Sequence, residues 1–121
     1  LREQTFCGAP TEDRDPILYD LKPGEEVTLP LAGQPKADSA QRAWIRIVVE
    51  RLGRGEGTVT IGNMTYELPA AYTPFNTPMI RDIEIDPALL SADATLTFKA
   101  AGKEAGDGFL LCMASVVVER R

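Results

Sequence analysis

Histidine is absent from the 121-residue chain, tryptophan occurs once and cysteine twice. Without histidine there is no Ser-His-Asp or Cys-His nucleophile pair, no imidazole ligand for zinc and no imidazole proton shuttle. Positive charge is in deficit too: 13 Lys and Arg stand against 18 Asp and Glu, a net charge of −5. Binding to a phosphate backbone needs clustered cations. Neither Arg51-Leu52-Gly53-Arg54 nor Arg120-Arg121 forms a basic stripe, so a nucleic-acid partner is not expected. Long apolar runs are missing as well. The longest covers residues 109–118 and includes Ser115, against about 20 residues for a membrane-spanning helix. The opening residues show no charged n-region and no apolar h-region, as expected once any signal peptide has been removed.

What is present is a globular composition. With 44% hydrophobic and 26% charged residues, there is enough apolar material for a core and too little charge for a disordered chain. The length suits one core, so a single domain over residues 1–121 is expected. The dominant hydrophobic period is two. In Ala43-Trp44-Ile45-Arg46-Ile47-Val48-Val49-Glu50-Arg51-Leu52, Ile45, Ile47 and Val49 face one side, while Trp44, Arg46, Val48, Glu50 and Leu52 face the other. Residues 95–99 alternate with Leu96 and Phe98 inward, and residues 79–86 place Ile83 and Ile85 opposite Asp82, Glu84 and Asp86. Residues 109–118 are apolar on both sides, which suits a central strand.

The punctuation agrees with strands. Lys22-Pro23-Gly24-Glu25 reads as a turn between residues 17–21 and 26–31, and Gly62-Asn63 as a two-residue hairpin turn. Residues 52–57 carry three glycines and read as a hairpin loop into residues 58–61. Only Asp86-Pro87-Ala88-Leu89-Leu90 suggests a helical turn, with Asp86 as N-cap and Pro87 at the first helical position. Residues 68–78, with Pro69, Pro74 and Pro78, read as a long loop of the kind that carries binding residues. The expected fold class is all-β: a two-sheet, jelly-roll-like antiparallel β-sandwich of eight or nine strands with little helix.

Cys7 and Cys112 lie far outside any metal-pair or redox CxxC spacing. Either they form one long-range disulfide, which favours a secreted or extracytoplasmic protein, or they are two buried reduced thiols acting as small hydrophobes.

Three stretches resemble a known family. Thr58–Pro69 (TVTIGNMTYELP), Ile83–Ala100 (IEIDPALLSADATLTFKA) and Gly106–Glu119 (GDGFLLCMASVVVE) are similar to a hairpin, a strand–helical turn–strand segment and a closing strand of the galactose-binding-like jelly-roll sandwich. That is the fold of many carbohydrate-binding modules and of accessory domains in polysaccharide-active enzymes. The resemblance covers roughly the second half of the chain. It implies that the first and last strands are neighbours, which would bring Cys7 and Cys112 together. It also implies a structural calcium bound by carboxylates near the termini, for which Asp107, Glu12 and Asp13 are the candidates; solvated turn carboxylates are the alternative. The closing strand departs from the family, since Leu110-Leu111-Cys112-Met113-Ala114 lacks the acidic residue that many members place there.

Sugar binding needs flat apolar surfaces for the ring's C–H face and planar polar side chains for the hydroxyls. Trp44, Arg46 and Glu50 share a strand face, and Tyr72, Phe75 and Asn76 lie in the proline-rich loop; these six are the candidate ligand-binding residues. Against them stand a Trp44 packed under residues 35–41 and Tyr72 and Phe75 as apolar plugs. Asp82, Glu84 and Asp86 recur about 7 Å apart on one face, a spacing that a glycosidase carboxylate pair could use. A solvated, edge-blunting face is the commoner use of such a stripe, and no catalytic site is expected. Asn63-Met64-Thr65 matches the glycosylation sequon, although a tight-turn Asn accounts for it.

The expected function is a non-catalytic carbohydrate-binding or accessory module of a secreted polysaccharide-active protein, with a polysaccharide or oligosaccharide, or a neighbouring domain, as partner. The alternative is a structural or protein-interaction sandwich without sugar binding.

Overall fold

The computed structural model describes residues 2–7, 19–31, 40–53, 56–70, 77–90, 93–102 and 108–120. Among these lie nine strands: β1 Arg2–Phe6, β2 Tyr19–Leu21, β3 Glu26–Pro30, β4 Ala40–Glu50, β5 Gly57–Ile61, β6 Met64–Glu67, β7 Met79–Ile85, β8 Thr95–Ala100 and β9 Phe109–Arg120. They form two antiparallel sheets, one ordered β1-β9-β4-β7 with β2 beside β9, the other β3-β8-β5-β6. The expected all-β sandwich is therefore what the chain forms, with first and last strands paired from Arg2↔Glu119 to Phe6↔Ser115.

Alternation builds the core. Ala43, Ile45, Ile47 and Val49 of β4 meet Leu96 and Phe98 of β8 and Val59 and Ile61 of β5 in one buried cluster fed by both sheets. Strand β9 changes phase along its length. Phe109 and Leu111 are buried core residues, then Ala114, Val116 and Val118 are, because a register shift between Val48 and Val49 leaves Cys112 as an extra residue between Leu111 and Met113. A bulge of one residue swaps the faces of every position beyond it.

The turns follow their residues. Pro23 and Gly24 form a turn closed by the Glu25 amide donating to the Lys22 carbonyl at 2.9 Å, with Gly24 at φ 87°, as a type II turn requires. Gly62, at φ 59°, leads the two-residue β5–β6 hairpin in the II′ manner. Asp86 caps a single 3-10 turn, Pro87–Leu89, by accepting from the Ala88 amide at 2.9 Å.

Two expectations are corrected. The link between β4 and β5 is not a hairpin loop, since the two strands belong to different sheets, and Leu52, expected on the outer face with Trp44, is fully buried. Arg51 turns the chain there at φ 60°, and the Glu56 carboxylate holds the Gly53 amide at 2.9 Å. The Cys7–Cys112 disulfide is also absent, both residues being free thiols. The amide of Cys7 donates to the Ala114 carbonyl at 3.0 Å, and Cys7 forms an isolated bridge to Leu31, just past β3, and joins the core. Cys112 instead sits in the β9 bulge, partly exposed, with Glu50 as its charged neighbour. Pairing the first and last strands puts the two cysteines on neighbouring strands, but the bulge turns one thiol away from the core that holds the other.

Candidate functional site

The outer face of the five-stranded sheet gathers the described candidates. On β4, Arg42, Trp44, Arg46, Val48 and Glu50 alternate with buried core residues. The register sets Glu84 and Val117 on either side of Trp44, Asp82 and Ser115 beside Arg46, and Ile80 and Met113 beside Val48. Strand β1 extends the rows, with Gln4 opposite Val117 and Arg2 opposite Glu119.

Each of four arginines on this face meets a carboxylate from another strand. Arg46 donates from Nε and Nη2 to the two Asp82 oxygens at 2.9 and 3.0 Å. Arg42 holds Glu84 in the same two-bond fashion, both at 3.0 Å. Arg51 donates to Asp20 at 3.1 Å, and Arg2 Nε lies 3.9 Å from Glu119. Exposed pairs of this kind are screened by solvent and add little to stability, so their effect is geometric: they fix the guanidinium planes. Hydrogen bonding to Arg42 pulls the Glu84 carboxyl below its usual range, which holds it as the anion. That is the reverse of what a general acid needs.

Trp44 is half-buried. The guanidinium of Arg42 lies 4.7 Å and that of Arg2 5.1 Å from its ring centroid, within the range in which a cation is attracted to the face of an indole. Val117, between Trp44 and Gln4 in the register, is only 3% exposed although it lies outside the core cluster. Ser115 is fully buried and accepts from Gln4 Nε2 at 2.9 Å. One row further along, Ile80 and Met113 are 62% and 37% exposed on either side of Val48.

The opposite outer face is different in kind. Thr28, Thr97, Thr60 and Thr65 form one row across the four-stranded sheet, with the Thr28–Thr97 and Thr60–Thr65 hydroxyls paired at 2.9 Å. Its neighbouring row is Glu26, Lys99, Thr58 and Glu67. Neither row holds an aromatic residue.

Trp44, Arg46 and Glu50 thus share a face as the alternation implied. Tyr72, Phe75 and Asn76, and the calcium candidates Glu12, Asp13 and Asp107, lie outside the described residues. Among the described residues no group of three or more His, Cys, Asp or Glu is placed to hold a metal, and no helix is long and apolar enough to cross a membrane. Sequence reasoning missed Arg42, Arg2 and the pairing of Asp82 and Glu84. Arg42 follows from the same alternation begun one residue earlier, whereas Arg2 depends on the β1–β9 register and has no local signal.

No protein-family model matches this chain, and no curated protein does. Solved structures do. The chain is similar to part of BuGH86 in complex with neoagarooctaose, in a substituted form (TM-score 0.71) and as wild type (0.69), each at 13% identity over 97% of this chain and 18% of that one. It is also similar to part of BpGH86A, a β-porphyranase of glycoside hydrolase family 86 from the human gut bacterium Bacteroides plebeius. There the TM-score is 0.69 and the identity 13%, over 98% of this chain and 20% of that one. The shared property is the fold, and the chain spans about a fifth of the length of these hydrolases.

Proposed function

We propose that the chain is a non-catalytic accessory domain of an extracytoplasmic polysaccharide-active protein, contacting carbohydrate through the sheet face of Trp44, Arg46 and Glu50. One observation carries the reading: nearly all of this chain matches a segment that makes up only about a fifth of glycoside hydrolases. A match of that extent supports an accessory unit rather than a whole catalytic domain. Two of those structures hold neoagarooctaose and the third is a β-porphyranase, so the neighbours are carbohydrate-active. The galactose-binding-like resemblance of residues 58–69, 83–100 and 106–119 supports the same direction, as does the fixed array of planar donors beside the single tryptophan. Asp82 and Glu84, the carboxylates spaced for catalysis, are both committed to arginines. The two free thiols lend no support to the extracytoplasmic location, which rests on the substrate class alone.

A second reading is favoured by Ile80 and Met113: with Trp44 and the arginines they give this face the Met-, Trp- and Arg-rich composition of protein interfaces. Native gels containing soluble polysaccharides separate the two. The first reading expects retardation by at least one glycan, largely lost in Trp44→Ala with its circular dichroism unchanged. Migration unaltered by every glycan would leave the interaction domain standing.

A further inference from the structure

We infer that the glycan taken by the Trp44 face is uncharged, and that sulfated or uronate-rich chains are excluded from it; this rests on the sugar-binding reading above. Among the described residues, the arginines of the face are already paired with carboxylates. Arg42 and Arg46 are each locked by two hydrogen bonds to Glu84 and Asp82, Arg51 is bonded to Asp20, and Arg2 faces Glu119. Glu50 adds a further carboxylate to the same face. Among the described residues, four arginines (Arg2, Arg42, Arg46, Arg51) thus stand against five carboxylates (Asp20, Glu50, Asp82, Glu84, Glu119) on this face, one negative charge in excess on a chain whose net charge is −5. A polyanion approaching this face would have to break bidentate pairs and then meet the freed carboxylates, whereas clefts that attract anions present unpaired cations of one sign.

Neutral sugars need something else: donors and acceptors held in a plane beside an apolar surface. The locked guanidinium–carboxylate pairs supply both kinds of group. Trp44 with Val48, Ile80 and Met113 supplies the apolar surface along adjacent rows. On this geometry the same ion pairs that fix the donors also select against charge, so one set of contacts positions and discriminates.

The test compares uncharged chains (agarose, xylan, mixed-linkage glucan) with charged ones (carrageenan, alginate) in affinity gels run at low and at physiological ionic strength. Retardation by an uncharged chain that changes little with salt, with none by carrageenan or alginate, is the expected result. Tighter retention by carrageenan that collapses as salt rises would overturn the inference while leaving sugar binding intact; no retention by any chain overturns both. A double variant, Asp82→Asn with Glu84→Gln, unmasks Arg46 and Arg42. It is expected to gain about tenfold in carrageenan retention at low ionic strength, and an unchanged value would show that the pairs are not what excludes anions.

Discussion

Cys7 shows how one residue reports on its surroundings. The residue is 3% exposed in the core, and burial pushes its thiol pKa up from 9.0 to about 12. Between those two values the unfolded chain gives up the thiol proton and the folded chain keeps it. The folded state then binds more protons, and stability falls as pH rises, with a slope approaching about 1.4 kcal/mol per pH unit. Below pH 9 the group makes no such contribution. Urea midpoints measured from pH 8 to 11 are expected to decline more steeply in the native chain than in Cys7→Ala; parallel curves would show that the thiol is solvated. At this scale the sequence was informative where a side chain's direction follows from alternation alone, as for Trp44, Arg46 and Glu50. It was silent on Arg2, whose approach to Trp44 needs strands from both ends of the chain, and misleading on Cys112, whose direction is set by a bulge.

Strand β4 is the element that joins stability to the candidate site. It lies between β9 and β7, with Ala43, Ile45, Ile47 and Val49 in the core and Arg42, Trp44, Arg46, Val48 and Glu50 on the outer face. Substitutions on its two sides should therefore separate cleanly. Ile47→Ala removes a fully buried side chain and is expected to cost about 2–5 kcal/mol. Arg46→Ala breaks an exposed ion pair and is expected to cost less than about 1 kcal/mol. Equal losses in chemical denaturation would mean that the outer face is packed in solution, as a tightly self-associated domain would be. The periods of β4, β7, β8 and β9 were readable because a half-buried strand must alternate. The link from β4 to β5 was not, since three glycines serve a hairpin and a sheet-to-sheet crossing alike. Only the burial of Leu52 and the left-handed Arg51 distinguish the two.

Over the whole molecule, the two outer faces divide the surface into unlike halves. The four-stranded sheet shows threonine hydroxyls that satisfy one another in pairs, with Glu26, Lys99 and Glu67 beside them, a surface suited to water. The five-stranded sheet shows a tryptophan under two guanidiniums, fixed ion pairs and exposed Ile80 and Met113. The two-layer architecture was legible from turn chemistry and alternation. Which face would carry the aromatic and the arginines was legible in part, because Trp44 and Arg46 share parity. That those arginines would be neutralised across strands was not, because it depends on pairing between β4 and β7. The central claim, that glycan contact belongs to the Trp44 face, is met most directly by titrating the 15N-labelled chain with an agarose-derived oligosaccharide. Saturable shifts should gather at the Trp44 indole N–H and at the amides of β4, β7 and β9 around Arg46 and Ile80. Shifts confined to the threonine rows of β3, β5, β6 and β8 would contradict it.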